Sequence, residues 1–351
     1  MTLLTDARRR ADGPRPAARR RPAFLIGVLI VVVVSIALSL ALGSRPVSLA
    51  EVLEGITAWI GGRTPDEIGA IAVQERIPRT VLALLAGAAL GLSGALMQAV
   101  TRNPIADPGI LGVNTGAALF VVCGIAFLGI TSAVEFLVLA LIGGSLVAAF
   151  VYVVGSIGPG GSTPIKLALA GAATTAALSS LVSAVLLPRI AAMDVFRFWQ
   201  VGGVGGAEWG TMAIVAPLLA VAAVAAFLSA PMLNALALGD EVAVGLGVNV
   251  TAGRLIASAA GVVLCAAVTA LAGPIAFVGL MVPHVARLLF GPDQRWLLPV
   301  CALGGAALLT VSDTIGRLIG YPGEVEAGIV TAFVGAPILV IIARRTRMKA
   351  L

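Results

Sequence analysis

The residues that could do chemistry in this sequence are few, and their spacing matches no common catalytic pattern. His284 is the only histidine, and one histidine cannot build a histidine-rich metal site. Because Cys123, Cys265 and Cys301 lie far apart in apolar runs, we expect buried free thiols. The glycine-rich segment 158–166, GPGGSTPIK, lacks the spacing of a phosphate-binding loop, since its lysine follows Ser and Thr. We therefore predict no catalytic residue, no metal site, no bound cofactor and no ATP hydrolysis by this chain alone.

One polar stretch stands out between two apolar runs. Residues 101–118, TRNPIADPGILGVNTGAA, combine proline, glycine, asparagine and aspartate. Pro104, Pro108 and Gly109 disfavour a continuous helix and permit a sharp change of direction. The stretch therefore predicts a tight turn that joins two helices.

The elements around this turn must be membrane helices. The chain has 351 residues, of which 59% are hydrophobic and 11% charged, and its mean hydropathy is +1.07. Lipid admits helices or closed barrels, and the long apolar runs lack the alternation of barrel strands. With 5% aromatic residues, nothing resembles a nucleic-acid-binding platform. We predict an all-α polytopic membrane protein in contact with lipid, with no nucleic acid as a partner.

The apolar runs and their breakers predict ten transmembrane helices. The eighth is the least regular, because Pro283 and His284 interrupt it. The predicted ranges are 24–43, 79–100, 110–129, 134–155, 166–187, 211–231, 254–272, 275–290, 296–316 and 326–343.

The basic residues predict the orientation. Arginines crowd the basic tail 1–23, and the tail 346–351 continues a second basic run. Basic residues are enriched on the cytoplasmic side of membrane proteins. We therefore expect both tails in the cytoplasm, a multi-pass transmembrane domain at 24–345, outer loops at 44–78 and 188–210, and a long inner loop at 232–253.

Charged residues within the predicted spans are rare. Asp313 and Arg317 lie four residues apart near a helix end, so one helix face can pair them. A carrier driven by an ion gradient is expected to hold more charge at membrane depth. Such a secondary transporter remains an alternative, as does a membrane scaffold without a path.

Five blocks in order carry a resemblance to a known family. They are 74–118, QERIPRTVLALLAGAALGLSGALMQAVTRNPIADPGILGVNTGAA; 236–248, LALGDEVAVGLGV; 272–299, AGPIAFVGLMVPHVARLLFGPDQRWLLP; 313–318, DTIGRL; and 328–340, GIVTAFVGAPILV. The chain resembles the iron–siderophore permeases of type II ABC importers, a family that includes the vitamin B12 permease.

The resemblance implies ten transmembrane helices in the cytoplasmic (inner) membrane of a bacterium. It also implies that several kinds of subunit share the work of transport. Two permease subunits, identical or different, form a path at their interface. Two cytoplasmic ATP-binding subunits drive transport, and an extracytoplasmic binding protein delivers an iron chelate, cobalamin or haem.

The resemblance also assigns candidate site residues. Arg76, Arg79 and Arg317 match outward-facing arginines that meet carboxylates of the binding protein; pairing with lipid headgroups or Asp313 is the alternative. Four positions match an inner gate, for which a plain turn with polar caps is the alternative: Asn103, Ile105, Ser162 and Thr163.

The inner loop matches the segment that couples the permease to its ATPase. A surface helix without that role is the alternative. The matching residues are Leu238, Gly239, Asp240, Glu241, Ala243, Leu246 and Gly247. His284 and Arg287 are expected to cap structure or face the ATPase.

One position departs from the family pattern. Glu326 stands where proline is common, and Pro322 lies just upstream. The added negative charge is expected to change the local geometry of docking.

Overall fold

The computed structural model describes residues 16–104, 106–158, 164–320 and 323–348, and every regular element within these ranges is helical. Each of the ten predicted spans corresponds to a helix in this part of the chain. These helices are α1 Pro16–Ala41, α3 Ile68–Thr101, α4 Val113–Cys123 with a π-helical turn Gly124–Leu128, α5 Ala133–Ser156, α6 Pro164–Leu186, α8 Trp209–Leu228, α11 Val250–Ala272, α12 Val278–Phe290, α13 Gln294–Ile319 and α14 Ala327–Met348.

Four shorter α-helices and one 3-10 helix, Pro108–Leu111, lie in the connecting segments of the same described ranges. By length and composition, seven of the ten long helices can cross a membrane, and the other three are shorter apolar helices, namely α4 with its π-helical turn, α12 and the apolar part of α14. The connecting α-helices are α2 Leu49–Ile60, α7 Ile190–Val201, α9 Ala230–Leu236 and α10 Asp240–Gly245.

Helix α3 is the centre of the bundle. It packs against α11, α12 and α13. In its most apolar stretch of 18 residues, 78% of the residues are buried, whereas only 11% are buried in the corresponding stretches of α1 and α6. Polar residues and glycines on α3 therefore meet protein rather than lipid.

Glycine pairs bring α3 close to its neighbours. A Cβ on Gly87 would lie 2.2 Å from the carbonyl oxygen of Gly305 on α13, and a Cβ on Gly94 would lie 1.9 Å from that of Gly279 on α12. Small residues allow such backbone contacts between membrane helices. Larger side chains at these positions would push the helices apart.

Several helix boundaries differ from the sequence-based expectation; α1, for example, begins at Pro16 rather than near residue 24, and two further differences bear on the candidate site. Helix α3 begins at Ile68 rather than near residue 79, because Pro78 is accommodated inside the helix. Helix α12 begins at Val278, after a non-helical stretch in which Phe277 has φ +70°. The earlier start of α3 places two candidate arginines inside a spanning helix.

The bundle has two ends that matter for function. The Arg79 end carries the end of α1, the beginning of α3 and the end of α13, which meet through side chains of Arg76, Arg79 and Arg317. The Asp240 end carries the end of α3, α10 and the beginning of α11, which meet through Asp240.

Candidate functional site

At the Arg79 end, one buried carboxylate organises an ion cluster. Asp313 is 0% exposed and receives Arg79 in a forked arrangement, with Nε 2.9 Å and Nη2 2.7 Å from Oδ1. Arg317 approaches the other oxygen, Oδ2, at 3.1 Å, which confirms the pairing expected from the spacing of four. The remaining nitrogen of Arg79, Nη1, lies 2.5 Å from Oε2 of Glu324. Forked, charge-assisted contacts of this kind fix orientation as well as supply energy.

The other two arginines hold backbone carbonyls at the end of α1. Arg76 donates to the carbonyl oxygens of Leu40 at 2.9 Å and Arg45 at 2.6 Å. Arg317 donates to the carbonyl oxygen of Ser39 at 3.0 Å and to its hydroxyl at 2.8 Å. Both side chains are buried where these helix ends meet. Their part in docking stays a prediction.

Glu326 adds a third carboxylate beside this cluster. A Cβ on Gly203 would lie 1.7 Å from its Oε2, so glycine at 203 makes room for the glutamate. Burial raises the pKa of Glu326, and the nearby charge of Arg79 opposes that rise. Three arginines and three acidic side chains therefore lie at this end, where ion pairs join Asp313 to Arg79 and Arg317, and Glu324 to Arg79.

The polar stretch after α3 forms the predicted tight turn. Arg102 ends the helix with φ +51°, in the left-handed region. The amide of Ala106 donates to the carbonyl oxygen of Asn103 at 3.1 Å, and that of Gly109 donates to Oδ1 of Asp107 at 2.8 Å. These contacts satisfy the backbone where the chain reverses.

The turn borders a small cleft of about 30 Å³ that also reaches the start of α6. Of the predicted gate residues, Asn103 lines it, whereas Ile105, Ser162 and Thr163 lie outside the described residues. Residues from several elements share the cleft, among them the end of α3, Asp107 from the turn, Tyr152 from α5, Leu167 and Ala168 from α6, and Ser258 from α11.

A second, larger cleft, of about 470 Å³, lies between α4, α6 and α7. Neutral hydrogen-bonding side chains supply much of its wall, and the sequence analysis did not identify them as a group. The signal was present as Ser and Thr residues within apolar runs. These polar lining residues are Asn114, Thr115, Ser179, Ser183 and Gln200.

At the Asp240 end, α10 presents an apolar surface. Gly239 precedes the helix with φ +114°, and Gly247 follows it with φ +80°. Ala243 is fully buried beneath the helix, and Glu241 is exposed. Four large apolar side chains on this segment are exposed, namely Leu238, Val242, Val244 and Leu246.

Asp240 connects this surface to the bundle. Its Oδ1 accepts from Nη2 of Arg102 at 2.5 Å and from Nη2 of Arg254 at 2.9 Å. The same nitrogen of Arg102 also donates to the carbonyl oxygen of Leu236. Sequence reasoning missed these contacts, because Arg102 and Asp240 are 138 positions apart.

Arg287 has a packing contact rather than an exposed position. It donates to the side-chain oxygen of Gln98 on α3, and the amide of Gln98 donates to the carbonyl oxygen of Gly279 at 3.1 Å. These bonds join α12 to α3 and favour the structural interpretation of Arg287.

Resident metal chemistry finds no support in the ranges that the structure describes, where no group of three His, Cys, Asp or Glu side chains is placed to hold a metal ion. Cys123, Cys265 and Cys301 are free thiols.

Comparison with known proteins gives one consistent result. The FecCD transport family matches residues 30–345. The ferric enterobactin transport system permease protein FepD of Escherichia coli (strain K12) is 43% identical over 91% of this chain and 94% of its own length. The Fe(3+)-citrate import system permease protein YfmD of Bacillus subtilis (strain 168) is 38% identical over 95% and 97%. An inward-facing structure of a metal-chelate type ABC transporter superposes with a TM-score of 0.78 at 25% identity, covering 92% of this chain and 99% of that one.

Proposed function

The chain belongs to the FecCD transport family, and from that premise we propose that it carries an iron–siderophore through the membrane as the permease subunit of an ABC importer. The observation that carries the substrate class is its 43% identity to FepD over 91% of the chain, because FepD is a ferric enterobactin permease. Haem and cobalamin are the other chelates to be tested.

We propose the following domain arrangement and orientation. Residues 24–345 form the permease domain, flanked by the cytoplasmic tails 1–23 and 346–351. The Asp240 end faces the cytoplasm and the Arg79 end faces outward. The distribution of basic residues, with two basic tails, supports this orientation.

We propose that the exposed apolar residues around α10 bind a cytoplasmic ATP-binding subunit. A cluster of exposed leucine and valine side chains beside charged Asp240 and Glu241 is suited to a protein groove. A second permease subunit, identical or different, supplies a second such surface, so two ATP-binding subunits complete the transporter.

The extracytoplasmic binding protein is proposed to dock at the Arg79 end. Arg79 is 12% exposed and Glu324 is 39% exposed, whereas Asp313 is fully enclosed. A partner carboxylate can therefore reach Arg79 by replacing Glu324, while Arg76 and Arg317 hold the surrounding helix ends. Rim charges of this kind mainly steer and orient association.

The turn that contains Asn103 is proposed as the inner gate, together with Ile105, Ser162 and Thr163. Its support is the cleft that Asn103 shares with Leu167 and Ala168 at the start of α6. Closing that cleft would separate the path from the cytoplasm.

Uptake by cells tests the proposed function. Cells that lack their own iron-chelate importers are given this chain with its ATP-binding subunit and binding protein. They are supplied with radioactive iron as ferric enterobactin, a ferric hydroxamate or ferric citrate, or with haem or cobalamin. We expect uptake of one ferric siderophore that requires a functional ATP-binding subunit.

Two outcomes would contradict the proposal. Uptake that survives loss of the ATP-binding subunit but collapses with the proton gradient would indicate a secondary transporter. Uptake of haem or cobalamin alone would retain the importer but replace the proposed substrate.

A further inference from the structure

We propose that Asp240 is the positioning residue that links α10 to the turn at the inner cleft. The inference rests on the proposed function, in which α10 receives the motion of an ATP-binding subunit. It assigns the transmission of that motion to one carboxylate and the two arginines that it joins.

The geometry places three elements on a single oxygen atom. Oδ1 of Asp240 lies 2.5 Å from Nη2 of Arg102 and 2.9 Å from Nη2 of Arg254. Arg102 ends α3, Asp240 begins α10 and Arg254 lies in the first turns of α11. A displacement of α10 therefore acts on two long helices through the same group.

Both arginines lead to the same cleft. Arg102 is followed directly by Asn103, and Arg254 is followed one helical turn later by Ser258; Asn103 and Ser258 both line the cleft. The two contacts of Asp240 therefore lead to two different elements that line the place where the path is proposed to close.

The segment is built to move as a short unit. Gly239 and Gly247 flank α10 with φ +114° and +80°, and a Cβ on either would meet no atom within 4 Å. These glycines therefore serve backbone conformation rather than close packing. Within the residues that the structure describes, Asp240 is also the only member of α10 that forms an ion pair.

The remainder of the loop is fixed independently of α10. The side-chain amide of Asn234 donates to Oδ1 of Asp293 at 2.8 Å, and its oxygen accepts from the amide of Gln294 at 2.9 Å. These bonds attach α9 to the start of α13. Removing the Asp240 carboxylate should therefore release α10 without releasing the whole loop.

Exposure argues against a purely structural role for the Asp240 contacts. The side chains of Arg102 and Asp240 are 41% and 46% exposed. Exposed ion pairs of this kind contribute little to stability. Such ion pairs can connect α10 to the two long helices without stabilising one conformation strongly, so they can rearrange during transport.

The decisive experiment measures the cleft in the complete transporter with its ATP-binding subunits. Cysteines replace Pro104 on the turn and Ile165 at the start of α6, both exposed, in a chain whose three native cysteines are changed to alanine. Spin labels at these sites report the distance across the cleft by pulsed electron resonance, without nucleotide and after trapping with ATP and vanadate.

We expect the trapped state to change the distance distribution in the parent transporter. Asp240→Asn should abolish most of that change, because the neutral amide no longer holds both guanidinium groups. Asp240→Glu should retain it. The matched control is Asp194→Asn, which removes an exposed aspartate paired with Arg197 in α7, and it should behave like the parent.

The same variants are compared by the amount of ferric enterobactin imported per ATP hydrolysed. A coupling role predicts that Asp240→Asn lowers this ratio about 10-fold, within the range of known coupling effects, while ATP hydrolysis continues. Asp194→Asn should leave it unchanged.

Each other outcome has a distinct meaning. An equal nucleotide-dependent change in the parent and Asp240→Asn overturns the inference and leaves the proposed function standing. Loss of the ATP-binding subunit from the Asp240→Asn complex also overturns it, because Asp240 would then be a docking contact. A parent transporter that shows no nucleotide-dependent change and no ATP-driven uptake contradicts the proposed function as well.

Discussion

At each end of the bundle one carboxylate contacts two arginines, but the two carboxylates differ in how far they are exposed to water. At the Arg79 end, Asp313 is fully buried between Arg79 and Arg317, whose side chains are 12% and 3% exposed. At the Asp240 end, a carboxylate also joins two arginines, but Asp240 is nearly half exposed. Breaking a buried pair leaves an unpaired charge away from water, whereas water replaces an exposed partner readily. The buried ion pairs are therefore suited to holding helix ends in fixed positions, and the exposed ion pairs are suited to a contact that rearranges.

The largest expected effect comes from breaking the buried network. Asp313→Asn leaves Arg79 and Arg317 without a charged partner, and we expect it to cost about 3–5 kcal/mol of stability. Thermal unfolding in detergent measures this loss. Asp194→Asn, which breaks an exposed pair, should shift the midpoint only slightly.

Docking provides a smaller effect that sharpens the account of the Arg79 end. Glu324→Gln removes the exposed carboxylate that competes for Nη1 of Arg79, so an acidic binding protein should bind about fivefold more tightly at low salt. Titration of the binding protein onto the purified transporter measures the affinity. Weaker binding would show that the partner presents a basic residue to Glu324 instead.

Asp240→Asn is the direct counterpart of Asp313→Asn. Because Asp240 is exposed, we expect a stability loss of about 1 kcal/mol or less, despite the loss of two ion contacts. The unfolding midpoints of the two variants are compared under the same conditions. Equal losses would remove the distinction between the two ends.

The smallest effect concerns pH. Burial raises the pKa of Glu326 above that of an ordinary glutamate, so the folded state favours the neutral acid more than the unfolded state does. Its stabilising contribution is therefore present at low pH and is lost as pH rises through the raised pKa. Glu326→Gln should raise the unfolding midpoint by about 1–2 °C near neutral pH, with no difference near pH 4.5. An equal shift at both pH values would exclude titration as the cause.

The sequence predicted the helices better than it predicted their ends. Long apolar runs identify spanning helices because lipid leaves few alternatives. The beginning of α3 was placed near residue 79 because Arg76 and Pro78 interrupt the apolar run, yet the helix extends outward to Ile68. The charge of Arg76 is satisfied there by carbonyl oxygens of the segment after α1, which no local pattern reveals.

The contacts at the candidate site also fall into those that the sequence predicts and those that it does not. The pair Asp313–Arg317 was predictable, because a spacing of four places both residues on one helix face. The contact between Arg79 and Asp313 joins positions 234 residues apart, and that between Arg102 and Asp240 joins positions 138 apart. Such contacts depend on how the helices pack, so a single sequence shows the charged residues but not their partners.

The continuity of α3 has a mechanical consequence. The helix carries Arg79 near one end and finishes directly before Arg102, so 23 residues, or about 35 Å of unbroken helix, separate the two guanidinium-bearing positions. At Gly87 and Gly94 its backbone closely approaches α13 and α12. In the proposed function, the docking residue Arg79 and the ion pairs of Asp240 are therefore joined by one continuous helix, so a tilt of that helix would reach both without passing through a loop.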